Sequence, residues 1–354
     1  MAADATEASS NREWVFKSRP GPSGFAATDF ELQACAVPEV AEGELLLRLH
    51  LLSMDPTMRN AMAGPESAKR TDGSNYYSLM NWQPGMVPKW FVVAQVVRSR
   101  AEGFAEGDMV TAMAPWRELV VLPGSSVEKV PDGVTPSAAL SAMGLTAMTG
   151  YLGAKFCGEP KEGDVAFVSG AAGATGIIAC QTLKNLGCRV VGSAGSDEKV
   201  GVLKSMGIEG FNYKQESIFE GLQRLCPGGV NVAFDNVGGE TLEAILEMMN
   251  DEGRVVLCGA ISQYDKPLEQ RYGVRNLFHV VAKRLKLQGF VVLWSFSDEQ
   301  NADCKQTLQT WFREGKIKDL STFVDGFENL PEGILSLFSG ANTGKCLVRV
   351  PLSV

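Results

Sequence analysis

The chain has 354 residues, with 33 Lys and Arg against 41 Asp and Glu for a formal charge of -8, and 45% of its residues are apolar. At roughly 150 residues per domain this length predicts two domains, and the apolar share excludes disorder for most of the chain. The acidic balance gives no broad basic field for nucleic acid or an anionic membrane surface, and no apolar run approaches the ~18 residues of a membrane span.

Residues 1 to about 13 read as a polar tail without the basic flank and apolar core of a signal peptide, so a cytoplasmic protein is expected. From Trp14 to about Val130, short apolar runs alternate with Gly and Pro. ELLLRLHLLSMDP, KWFVVAQVVRS, GDMVTAM and RELVVLPG each read as a strand with a turn signal, which predicts a small, mainly β module. Between them Ala63 to Pro88, with Tyr76, Tyr77 and Trp82, reads as a long loop.

At Val134 the texture changes. TPSAALSAMGLTAMTGYLGAKF has helical spacing, and then strands alternate with helices: DVAFVSG, CRVVGSAG, GFNY, VNVAFDNVG, RVVLCGA and LKLQGFVVLW are the strands. Short, nearly continuous apolar strands between helices predict a parallel sheet covered on both faces. DEQNADCKQTLQTWFREGK closes this part as an amphipathic helix. The rest, from about Lys318, reads as irregular structure ending in the strand KCLVRVPL, which is expected to rejoin the first module. The domains are therefore residues 1–133 with 314–354, and residues 134–313.

The segment Val165 to Gly176 places a Gly-rich turn between a strand and a helix. Backbone N–H groups in such a turn approach a pyrophosphate, and the helix N-terminus adds partial positive charge. Gly173 and Gly176 keep the spacing of the second and third glycines of GxGxxG, with Ala171 in the place of the first. The next strand ends in Gly and Ser rather than the carboxylate that binds NAD ribose, and Lys199 follows. That pattern suits the 2′-phosphate of NADP. The eight cysteines lack metal-finger or redox-motif spacing, and His50 and His279 have no acidic or Cys partner at ligand spacing, so no metal is expected.

SMDPTMR, AAGATG, GSDEK, FNYK, FDNVGGE, CGAISQY, LQGFVV and a late GxNxGK occur in order along the chain. With these strings the sequence resembles the zinc-independent medium-chain dehydrogenase/reductases. Within them it is similar to the leukotriene/prostaglandin reductases and the alkenal (double-bond) reductases, including curcumin reductase. The resemblance implies an α/β fold, a Rossmann doubly wound parallel sheet inserted in a GroES-like, mainly β catalytic domain, and a homodimer. It implies that NADPH/NADP+ is held by Gly173, Ala174, Thr175 and Gly176 at the phosphates and by Lys199 and Tyr213 at the 2′-phosphate. Asn236, Cys258, Gly259, Ala260, Ile261, Ser262, Tyr264, Phe290, Val291, Val292 and Asn342 complete the implied cofactor site.

The implied reaction is transfer of a hydride to the β-carbon of an α,β-unsaturated aldehyde or ketone, with Tyr264 assisting the carbonyl or enolate oxygen. Tyr272 and Tyr213 are the alternative phenols. Met54, Thr57 and Arg59 are candidates for the substrate pocket. Two departures from the family pattern fall in this module: Thr57 stands where the family has Tyr, and Pro84–Trp90 replaces its usual Gly-rich segment. The alternative functions are an NADPH quinone oxidoreductase and a non-catalytic NADPH-binding protein.

Overall fold

In the computed structural model, residues 11–21, 24–63, 81–264, 266 and 268–352 are described. Most of the expected long loop, Tyr76 and Tyr77 included, lies outside them. The first part of the chain contributes β1 (Asn11–Phe16), β2 (Phe30–Cys35), β3 (Glu44–Met54), α1 (Thr57–Ala63), β4 (Lys89–Ser99), β5 (Met109–Pro115), β6 (Leu119–Pro123), β7 (Val127–Lys129) and α2 (Pro136–Leu140). The second contributes α3 (Leu145–Leu152), β8 (Val165–Val168), α4 (Ala174–Asn185), β9 (Arg189–Ala194), α5 (Asp197–Ser205) and β10 (Glu209–Asn212). It continues with α6 (Ile218–Leu225), β11 (Val230–Asp235), α7 (Glu240–Met248), β12 (Met249–Leu257), α8 (Phe278–Ala282), β13 (Lys286–Gly289) and α9 (Asp298–Arg313). The chain ends with β14 (Ser321–Asp325), α10 (Leu330–Ser339) and β15 (Lys345–Arg349).

Two units result. One holds the chain up to Leu140 with Thr322–Ala341 and the residues from Cys346; the other holds Ser141–Ser321 and Asn342–Lys345. In the first unit a seven-stranded sheet runs β14-β15-β3-β4-β5-β7, with β6 also paired to β3, and β1 pairs with β2. The pairings of β3 with β4, β6 and β15 are antiparallel. Alternation along these strands turns their apolar residues inward, where Trp82, Trp90 and Trp116 gather with Phe16 and Phe30. Ring centroids there lie 5.4 Å apart for Trp82 and Trp116 and 6.0 Å for Trp82 and Trp90. Trp90 keeps its indole N–H satisfied by donating to the buried Asp55 carboxylate at 2.7 Å, so the ring can be buried without an orphan donor.

The second unit is a six-stranded sheet in the order β10-β9-β8-β11-β12-β13. Each adjacent pair is parallel. Counted from its own first strand the order is that of a Rossmann sheet, reversing direction between β8 and β11. Phe167, Phe211, Val191 and Ala233 are buried together between sheet and helices, as near-continuous apolar strands require.

Three expectations are corrected. The helical stretch from Thr135 is broken at Gly144, whose extended backbone starts α3 anew. The strand expected over LKLQGFVVLW stops at Gly289, because the amides of Trp294 and Ser295 both turn back to the Val291 carbonyl at 2.9 Å. The tail expected to be irregular contains α10, with Pro at its first turn and Gly340 closing it at φ 69.

Candidate functional site

In an open parallel sheet, ligands meet the carboxyl ends of the strands at the point where the order reverses. Most of the residues singled out in the sequence are in segments that leave those ends. After β8 the chain turns through Gly170 (φ 58) into α4, whose N-cap is Gly173 with extended backbone and no side-chain cap. The first amides of α4 are thus free of side-chain competition for an anion. Gly176 is fixed by close approach: a Cβ there would lie 2.3 Å from the Gly170 carbonyl oxygen and 2.9 Å from the Ala171 Cα. The absence of the first fingerprint glycine is compensated on the neighbouring strand. Ala171 donates its N–H to Ser193 O at 2.9 Å, and Gly192, having no side chain, leaves room for the Ala171 methyl.

After β9, Ser196 caps α5 and Lys199 lies half-buried on its first turn. Burial, reinforced by the like charge of Lys214, holds the Lys199 pKa below its ordinary value. Tyr213, after β10, puts its hydroxyl 2.9 Å from where a Gly195 Cβ would be. The nearby carboxylate, Asp197, is engaged by the side-chain amides of Asn212 and Gln215 at 2.9 Å each. A phenol against Gly195, two lysines close enough to repel each other, and Asp197 tied down by amides fit a phosphate dianion rather than a ribose diol.

After β11 and β12 two loops are stitched together. The Asp235 carbonyl accepts the amides of Cys258 and Gly259 at 2.9 and 3.1 Å, the Asn236 carbonyl accepts Ile261 N–H, and Val237 O accepts both the amide and the hydroxyl of Ser262. Asn236 also donates its side-chain amide to Ser169 O at 2.7 Å. This junction joins Asn236 to the whole Cys258–Tyr264 segment. Its organiser, which sequence reasoning missed, is Asp235. The carboxylate is 1% exposed and accepts the Ser169 hydroxyl at 2.6 Å and the amides of Val237 and Gly238 at 3.0 Å each. Burial pushes this carboxyl upward, and those three donors pull it back. The signal was available in the sequence: a Ser directly after VAFV and an Asp directly after VAF.

Tyr264 packs its phenol beside Gly259 and accepts the Ala260 N–H at 3.1 Å. The phenolic proton is not used by that bond. Burial, opposed by the Ala260 amide, raises its pKa above the ordinary phenol value, so at neutral pH it is a donor. Of the alternative phenols, Tyr272 donates to Glu243 at 3.0 Å and the Tyr213 hydroxyl lies against Gly195. The Cys258 thiol is also pushed up by burial, and Cys157 is held at about 11, so neither is a thiolate at neutral pH.

Val291, within the expected contact Phe290–Val292, uses its N–H on Ser295 Oγ at 2.8 Å and its carbonyl on the turn described above. Asn342 donates to Gly344 O at 2.8 Å, and Gly344 N–H reaches Ala172 O at 2.8 Å, which holds this late segment against the phosphate turn. In the other unit Thr57 and Arg59 are partly exposed on α1, whereas Met54 is 1% exposed within the core and packs against Gly333. His50 binds the Val350 carbonyl and His279 pairs with Glu247. Among the described residues, no three His, Cys, Asp or Glu side chains come together as a metal site, and no helix is long and apolar enough to cross a membrane.

Two family models match: residues 12–130 match the N-terminal domain of oxidoreductase, and residues 174–309 match the zinc-binding dehydrogenase family. The chain is 38% identical to the NADP(+)-dependent 2-alkenal reductase of Nicotiana tabacum, over 89% of each chain. It is 38% identical to prostaglandin reductase 1 of Bos taurus, over 91% of this chain and 94% of that one. The crystal structure of CurA from Vibrio vulnificus in complex with NADPH superposes with a TM-score of 0.85 at 32% identity, covering 97% of this chain and 100% of that one. The chain belongs to the medium-chain dehydrogenase/reductase family, in the branch that contains the prostaglandin and 2-alkenal reductases.

Proposed function

We propose that this protein is an NADP-dependent oxidoreductase that reduces the carbon–carbon double bond of α,β-unsaturated aldehydes or ketones. NADPH, when bound, supplies the hydride that goes to the β-carbon. The amides opening α4 bind the pyrophosphate, and Lys199 with Tyr213 binds the 2′-phosphate. The Asp235 junction holds Asn236 and the Cys258–Tyr264 loop rigid where the nicotinamide end is expected. Tyr264 donates its phenolic proton in a hydrogen bond to the substrate oxygen as negative charge develops there; a fixed donor of this kind needs no reorganisation in the transition state. The α-carbon is then protonated from solvent or a relayed donor. Thr57 and Arg59 are assigned to the substrate side.

The observation that carries this reading is the Tyr264 phenol, half-buried, neutral, accepting the Ala260 N–H and so left with its own proton to donate. The relatives named above support the reaction class, since their names specify 2-alkenal and prostaglandin reduction and one was solved with NADPH. The test is NADPH consumption against 2-alkenals, enones, oxo-prostaglandins and quinones. Turnover of enones supports the reading; consumption with quinones alone points to the quinone reductase, and binding without turnover to a cofactor sensor. We further propose a homodimer in the cytoplasm. The position of β13 at the sheet edge, unpaired on its outer side among the described residues, and the exposed Leu277, Phe278 and Val281 support a dimer, which sedimentation tests directly.

A further inference from the structure

We propose that Gly153 is a positioning residue for the nicotinamide end of the cofactor, acting through the ring of Phe290. The inference rests on the reading that the backbone over Phe290–Val292 meets that end.

Helix α3 does not stop at Leu152 but runs on into a π-helical turn, Gly153–Cys157, closed by Gly158 N–H to Gly153 O at 3.0 Å. Single π turns are sparse in proteins and concentrate at functional sites. Gly153 is buried in this turn, and its backbone is ordinary right-handed helix, so nothing in its own conformation requires glycine. Its surroundings do. A Cβ at this position would lie 2.5 and 2.7 Å from two carbons of the Phe290 ring and 2.9 Å from the Phe234 ring.

The Phe290 ring, half-buried, is braced by two other rings. Phe234 lies edge-on at 6.4 Å between centroids and Phe296 at 5.5 Å, and Phe296 in turn meets Phe156 of the same π turn at 6.3 Å. The backbone behind it is tied as well, since Val291 is held through both its N–H and its carbonyl by the 294–295 turn. A methyl group at Gly153 therefore displaces the ring together with the start of the 290–292 segment. The phosphate turn and the Lys199 segment leave other strands, and the displacement is expected to spare them.

The test is binding of two probes to the full-length chain. NADPH spans both ends of the site; adenosine 2′,5′-bisphosphate occupies only the adenosine end. Because the added methyl overpacks the segment that meets the nicotinamide end, Gly153→Ala is expected to weaken NADPH affinity about tenfold or more. Affinity for the bisphosphate stays at the wild-type value, and Gly153→Ala with Phe290→Leu recovers part of the NADPH loss. An equal fall for both probes, or no change in either, overturns the proposal. If Gly153→Ala does not fold, Phe290→Ala examines the same contact from the other side, with the same selective loss expected and an equal loss contradicting it. A wild-type chain that binds the bisphosphate but not NADPH overturns the underlying assignment of Phe290–Val292 as well, which separates the two failures.

Discussion

Ala171 and Gly192 share one space: a Cβ placed on Gly192 would lie 2.5 Å from the Cβ of Ala171. The phosphate turn carries a methyl where the dinucleotide fingerprint has glycine, and the strand beside it gives up a side chain in exchange. The two residues are thus coupled. Gly192→Ala alone is expected to destabilise the fold by about 1–3 kcal/mol, the usual cost of overpacking. Adding Ala171→Gly restores most of it, because the remaining neighbour, a Leu203 methyl at 3.2 Å, can move aside. Urea denaturation of the two single variants and the double variant measures the coupling; additive losses would contradict it.

Lys199 sets cofactor choice on this account. Lys199 is half-buried and held below its ordinary pKa by burial and by the like charge of Lys214, and a bound dianion opposes both effects. Lys199→Ala is expected to raise the KM for NADPH by about 10- to 100-fold, the worth of one charge-assisted hydrogen bond, and to leave the KM for NADH unchanged. Steady-state kinetics with both cofactors checks this.

Tyr264→Phe removes the proposed donor and keeps the ring. The expected loss in kcat is about 100-fold or more, with NADPH affinity retained. Because burial raises the phenol pKa in the folded protein, the donor form persists at least to the ordinary phenol range near ~10. The kcat profile of the wild-type enzyme should therefore show no phenol-dependent fall between neutral pH and that range. A pH profile of kcat tests this, and a descending limb near pH 8 that Tyr264→Phe abolishes would contradict it.

Glu243 anchors the chain that returns after the Tyr264 loop. It accepts the Tyr272 hydroxyl, the Arg275 guanidinium and the Arg275 amide, and the Tyr272 amide in turn holds Gln263 at 2.8 Å. Arg275 and its amide hold the carboxyl at about 2. A depressed carboxyl contributes stability that is complete above its unfolded pKa of ~4.3 and is lost as pH falls through the folded value. Glu243→Gln should melt below the wild type at neutral pH, with the gap closing as pH falls below about 4. Melting curves from pH 7 to 3 show whether it does.

Much of this organisation was legible in the sequence for physical reasons that can be named. Strands buried on both faces, such as VAFV and the VAF of β11, have to be apolar, and the Gly-rich turn has to sit between one of them and a helix. Helix α10 was hidden because Pro331 and Gly333 looked like turn residues, although Leu330, Ile334 and Leu337 keep helical spacing and Pro belongs in a first turn. The end of β13 was hidden because FVVL is as apolar in a turn as in a strand; only the Ser295 side chain and the 294–295 amides decide it. At the site, residue types pointed to the phosphate turn and to Lys199. The roles of Asp235, Gly192 and Gly153 depend on which groups meet across strands, and no local pattern in the chain carries that information.

The central claim is tested most directly by the position of the transferred hydrogen. An acyclic enone incubated with the protein and NADPH bearing deuterium at the transferable C4 position is expected to give the saturated ketone with one deuterium on the β-carbon. An allylic alcohol with deuterium on the carbonyl carbon, or unchanged enone alongside reduced quinone, would contradict it.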